Sequence, residues 1–151
     1  MEPAGGDRAG REVFVPAVWA EFYEQTHIPA AIRVGDTLRL TGHTGETLDG
    51  VFSPDPETQI RQTFLNIAVT LAEADATWSD VVEINSYRVG LQQHAELLLT
   101  VAAEFLQDPY PVWTDVGVTE LFLSEAVVEI RCVAVLPPDP VTPEKPARRG
   151  A

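Results

Sequence analysis

The sequence predicts an α+β domain, a mixed β-sheet with two helices on one face, and three observations carry that expectation. Two short apolar runs flank a Gly-containing turn, as in a β-hairpin. Two later stretches place apolar residues at helical spacing. Strand-like runs separate and follow those helices, giving the order β-β-α-β-α-β-β.

The hairpin comes first. Ala31-Ile32-Arg33 and Thr37-Leu38-Arg39-Leu40-Thr41 flank Val34-Gly35-Asp36, a turn sequence between two pleated segments. Gly42-His43-Thr44-Gly45 closes the second strand, and a loop runs to Ser53. Arg11 to Val15 is a candidate additional strand ahead of the hairpin.

A helix then opens with clear signals. Asp55 suits an N-cap, Pro56 the first helical position, and Glu57 the positive end of the helix dipole. Ile60, Phe64, Ile67 and Leu71 form one apolar stripe that ends near Ala74. After a connector from Asp75 to Asp80, Val81 to Val89 reads as a strand with Val82 and Ile84 opposite Val81, Tyr87 and Val89. Leu91, Ala95, Leu98, Ala102 and Phe105 mark a second helix that stops before Asp108-Pro109-Tyr110-Pro111. Trp113 to Val118 and Val127 to Val135 complete the body.

Length and composition bound the rest. The 151 residues fit one domain, with the folded body at residues 11–137. Residues 1–10 are polar and Gly-rich, and residues 138–151 are Pro-rich, so both ends read as disordered tails. Cys132 is the one cysteine, which excludes an internal disulfide or a Cys-x-x-Cys site; in an apolar run it reads as a buried structural thiol. Three histidines without an i, i+4 pair give no metal signal, and no cofactor motif is present. The net charge of -13 and pI near 4.4 repel phosphate backbones and anionic lipid, arguing against nucleic-acid and membrane partners. With no apolar leader and no stretch long enough to span a bilayer, the expected location is cytoplasmic.

Several blocks resemble the Rid/YjgF family. Arg33-Val34-Gly35-Asp36-Thr37-Leu38 with Thr41-Gly42-His43 is similar to its "VGDTLYLSGQ" hairpin. Gln59-Ile60-Arg61-Gln62-Thr63-Phe64-Leu65-Asn66-Ile67 is similar to its "QxxQxxxNI" helix. Ser79 to Glu83, Ala103-Glu104-Phe105, Pro111 to Val118 and Val128-Glu129-Ile130 resemble its "DDVVK", "AEFF", "PARTTVGV" and "VEIE" stretches. The blocks occur in family order across residues 30–136. The resemblance implies a chorismate-mutase-like fold, a homotrimer closed through the sheet, and small-molecule clefts at the subunit interfaces.

The family's usual activity is hydrolysis of 2-imino acids, and its site residues carry over unevenly. Glu129 stands at the acidic position that orients the hydrolytic water, and Thr41 keeps the small hydroxyl of "SGQ". Trp113 stands where an arginine would grip the substrate carboxylate, a task suited to a forked guanidinium. Ile28 and Leu99 fall where a tyrosine and an asparagine are expected. The resemblance therefore implies the fold more strongly than it implies 2-imino acid chemistry.

Alternation along the strands adds candidates. Trp113 and Asp115 share one face of their strand, and Glu129 and Arg131 share one face of theirs. If the first pair lines the cleft, an indole beside carboxylates favours a cationic or neutral ligand. Trp113 could equally be interface packing, and Asp115 a solvated or ion-paired strand residue. Arg131 could neutralise Glu129 or Asp115, or supply the missing cation. His43 is the remaining acid–base candidate, or merely a polar residue at a strand end. Two function classes stay open: an enzyme acting on an imine, enamine or amine, with Glu129, Asp115 or His43 moving protons, and a trimer that binds a small metabolite without turnover. Some members of the family are described as ribonucleases or translation inhibitors; the charge makes RNA the weakest reading here.

Overall fold

A computed structural model describes residues 10–138. The strands are β1 (Arg11–Phe14), β2 (Ala31–Val34), β3 (Thr37–Leu40), β4 (Val81–Arg88), β5 (Val112–Gly117) and β6 (Val128–Val135); the helices are α1 (Ala20–Thr26), α2 (Pro56–Glu73) and α3 (Ala95–Ala102). One six-stranded sheet runs β1-β2-β3-β6-β4-β5. Only β4 and β5 pair in parallel; every other neighbour is antiparallel. The sheet is mixed, as expected, and the candidate strand at the start of the body is its first edge. The tails expected at residues 1–10 and 138–151 lie outside the described residues, apart from Gly10 and Pro138.

Local chemistry explains α2. The Asp55 carboxylate accepts from the Thr58 backbone N–H at 3.0 Å, and Pro56 takes the first turn, where a missing N–H costs nothing. Ile60, Phe64, Ile67 and Leu71 are buried as one stripe. They meet Leu38, Leu40, Ile84, Ile130 and Cys132 from the sheet and Leu98, Val101 and Ala102 from α3. Burial pushes the Cys132 thiol up to about 12, fitting a structural thiol.

Three features depart from the sequence reading. The strand beginning at Val81 carries an irregularity between Val81 and Glu83, so Val81 and Ile84 both enter the core while Val82 faces out. A two-residue alternation cannot foresee a bulge. The second helix is shorter than its apolar spacing suggested: Leu91–Gln93 is a separate 3-10 turn, and Ala95 is exposed. The third feature is α1, which no apolar stripe announces because it buries no residue in the core. Its partner is a cavity.

Candidate functional site

A cavity of about 370 Å³ opens between α1, the segment after β3, and the start of β6. Trp19, just ahead of α1, and Phe22 within it form one wall, Thr41 to Thr44 and Glu46 the β3 side, and Glu129 projects from β6. Phe122 and Leu123 overhang it from the loop before β6; Phe122 is 94% exposed. The lining is mainly apolar, and its charged side chains are two carboxylates, Glu46 and Glu129.

Buried amides on α2 hold this segment in place. Asn66 Nδ2 donates to the carbonyls of Thr44 at 2.9 Å and Glu46 at 2.8 Å. Gln59 donates to the Ser53 and Glu125 carbonyls and accepts from the Val127 N–H at 2.6 Å. These contacts give the "QxxQxxxNI" pattern its physical meaning: Gln59 and Asn66 satisfy loop backbone, and Gln62 Nε2 donates to Asn66 Oδ1 at 3.0 Å. Gly45 lets the segment approach α2, since a Cβ there would lie 2.2 Å from the Gln59 carbonyl.

Glu129 is half-buried, and its carboxylate rests against Gly42, where a Cβ would lie 2.2 Å from Oε1. It makes no hydrogen bond or ion pair with another described side chain. Burial, and secondarily the negative charge of Glu46, raise its pKa above the ordinary 4.5. An unpaired carboxylate of raised pKa facing a cavity is suited to taking and returning a proton.

His43 lies at the cavity but is far from a free base. It is only 7% exposed; Nδ1 lies 2.8 Å from the Thr41 carbonyl and Nε2 lies 2.7 Å from the Thr70 hydroxyl. A carbonyl can only accept, so Nδ1 donates; burial disfavours the charged ring, and in the neutral form Nε2 accepts from the Thr70 hydroxyl. Burial lowers its pKa, against smaller opposing effects of Thr41 and Glu46. The ring also meets Trp19 edge-on at 5.6 Å. The sequence left His43 as an acid–base candidate or a polar strand-end residue; it is a buried ring with both nitrogens engaged.

The other candidates lie elsewhere. Trp113 and Asp115 pair with Ile84 and Ser86 on the helix-covered face, whereas Glu129 and Arg131 pair with Tyr87 and Asn85 on the open face. The two sets do not share a cleft within one chain. Trp113 Nε1 donates to the Ser86 hydroxyl at 2.8 Å, and that hydroxyl donates to Asp115 at 2.7 Å. Asp115 also receives Arg88, which is 4% exposed and donates to the His94 carbonyl at 2.8 Å. Arg131 is exposed and pairs with neither Glu129 nor Asp115. Arg88 escaped the sequence reading, although a cation within a run expected to be a half-buried strand demands a carboxylate, and Asp115 was available. Of the named candidates, the structure brings together Thr41, His43 and Glu129. Among the described residues, no group of three His, Cys, Asp or Glu side chains could hold a metal ion, and no helix is long and apolar enough to cross a membrane.

This fold occurs in a known group of proteins. Residues 16–136 match the family described as Endoribonuclease L-PSP, and the chain belongs to that family, the YjgF/Rid proteins. Among its relatives, the RutC family protein YjgH of Escherichia coli is 37% identical over 128 residues, 84% of this chain and 96% of that protein. A 2-iminobutanoate/2-iminopropanoate deaminase of Dermatophagoides farinae is 32% identical over 109 residues, covering 70% of this chain and 83% of that one. A solved structure of protein YjgH superposes with a TM-score of 0.77 at 36% identity, covering 87% of this chain and all of that one. A YjgF family member from Mycobacterium tuberculosis gives 0.72 at 26% identity, covering 83% and 99%. The chorismate-mutase-like expectation for the fold holds.

Proposed function

We propose that this chain forms a trimer whose clefts process an imine, enamine or amine metabolite, with Glu129 as the proton-transferring group. The observation that carries this reading is the unpaired, half-buried Glu129 carboxylate facing a mainly apolar cavity, its pKa raised by burial. For an imine, the oxygen of water attacks the C=N carbon while Glu129 takes a proton from that water. The proton passes to nitrogen, giving a carbinolamine; Glu129 then takes the hydroxyl proton and returns it to nitrogen as the C–N bond breaks, and a carbonyl compound and ammonia leave. Thr41 and the backbone beside Gly42 line the space where the reacting centre would sit.

The lining argues against an ordinary 2-imino acid substrate. A ligand carboxylate would meet Glu46 and Glu129 with no lining cation to offset them. Trp113, standing where the family carries its arginine, lies on edge strand β5 outside this chain's own cavity; the resemblance brings it to the cleft from a neighbouring copy. The mainly apolar lining also supports binding without turnover, and one experiment separates the two. Ammonia release from an imine generated in situ should fall about 10²–10⁴-fold in Glu129→Gln if Glu129 transfers the proton. Unchanged release would remove Glu129 from the reaction, and no release by the wild type would leave a binding protein.

A further inference from the structure

We propose that Glu46 is a specificity-determining second carboxylate of this cavity, selecting a ligand with a cationic nitrogen, an ammonium or protonated iminium, on an apolar body of aromatic size. The inference uses the cavity to which the proposed reaction is assigned, but it concerns binding and does not depend on turnover.

Glu46 is held in place. The Thr44 hydroxyl donates to its carboxylate, Asn66 donates to its backbone carbonyl at 2.8 Å, and its backbone bridges to Phe52. It is half-buried and lies close enough to act electrostatically on both Glu129 and His43. The cavity thus sets two like charges near each other beside apolar surface, an arrangement that a cation relieves and an anion aggravates. No lining residue is Lys or Arg, and His43, neutral with both ring nitrogens engaged, supplies no positive charge.

The remaining walls define the rest of the ligand. Trp19, Phe22 and Phe122 offer aromatic faces, which attract both cations and apolar groups. A space of about 370 Å³ lies at the small end of ligand pockets and suits one ring with a short arm. The cationic head would lie between the carboxylates, with the ring against α1 and the overhanging loop.

Three probes of one shape test this: phenethylammonium, 2-phenylethanol and phenylacetate, titrated calorimetrically into the full chain. The ammonium should bind at least about 10-fold more tightly than the alcohol, with phenylacetate weakest. Glu46→Gln should erase most of that preference while leaving the alcohol's affinity in place, which also reports that the cavity has folded. Glu46→Asp, which keeps the charge, should retain a preference. Phenylacetate binding as well as the ammonium, an undiminished preference in Glu46→Gln, or no measurable binding of any probe at millimolar concentration overturns the proposal. Because no step is catalytic, these outcomes leave Glu129-dependent hydrolysis to stand or fall separately.

Discussion

At the scale of single residues, the site depends on what each polar group is denied. Glu129 is denied a partner and His43 is denied a vacancy, so the carboxylate is poised to exchange a proton and the imidazole is not. The raised pKa has a stability consequence. Between the ordinary 4.5 and its higher folded value, the folded state holds a proton that the unfolded chain has lost. Stability therefore falls as pH rises through that window, and the whole penalty persists above it. Glu129→Gln should melt at a higher temperature than wild type at pH 7–8, and the difference should vanish below about pH 4. Thermal melts across that range check this. An unchanged or lower melting temperature at pH 8 would mean that Glu129 has a cationic partner in the assembled protein. Glu129 was legible in the sequence only through the "VEIE" resemblance. Glu46 was not, because a glutamate in a loop carries no periodicity, and its position depends on Asn66 twenty residues away in the chain.

At the scale of elements, strand β5 shows how an alternation argument can place residues on a face and still miss their task. Trp113 and Asp115 do share a face, but it is the helix-covered one. There Asp115 neutralises Arg88, and Arg88 in turn ties β4 to the carbonyls at the start of α3. Removing the carboxylate would strand a cation that is 4% exposed, whereas the carboxylate itself, 28% exposed, has partial access to water. Asp115→Ala should therefore cost on the order of 2–4 kcal/mol, somewhat below the loss for a fully buried pair. Chemical denaturation measures it, and a loss under 1 kcal/mol would show that the Arg88 side chain can turn to solvent. The hairpin, α2 with its Asp55 cap, and the strands after it were legible because propensity, capping and burial agree in them. Helix α1 was not: its aromatic residues face a cavity, and a cavity wall has no core stripe to reveal it.

At the scale of the whole molecule, one face of the sheet packs on α2 and α3 while the other bears Glu129 and, beyond the cavity walled by α1, exposed strand residues. Edge strand β5 shows Val112, 68% exposed, and Val116 on that side. Apolar surface on an open face and edge is a place for further copies to close, in keeping with the trimer that the resemblance implies. Light scattering should give about three times the 16.5 kDa chain mass. A monodisperse monomer at micromolar concentration would remove the interfacial cleft and with it any part for Trp113. The proposed use of Glu129 on a substrate without a carboxylate makes a direct forecast about substrate preference. The most direct measurement is ammonia release from two imines compared in one assay, 2-iminopropanoate made by an amino-acid oxidase and the imine of phenethylamine made by an amine oxidase. Setting a ligand carboxylate against Glu46 and Glu129 costs about 2 kcal/mol or more, so the carboxylate-free imine should be hydrolysed with the higher kcat/KM, by roughly 30-fold or more. Equal efficiency on 2-iminopropanoate, or a preference for it, would contradict the account.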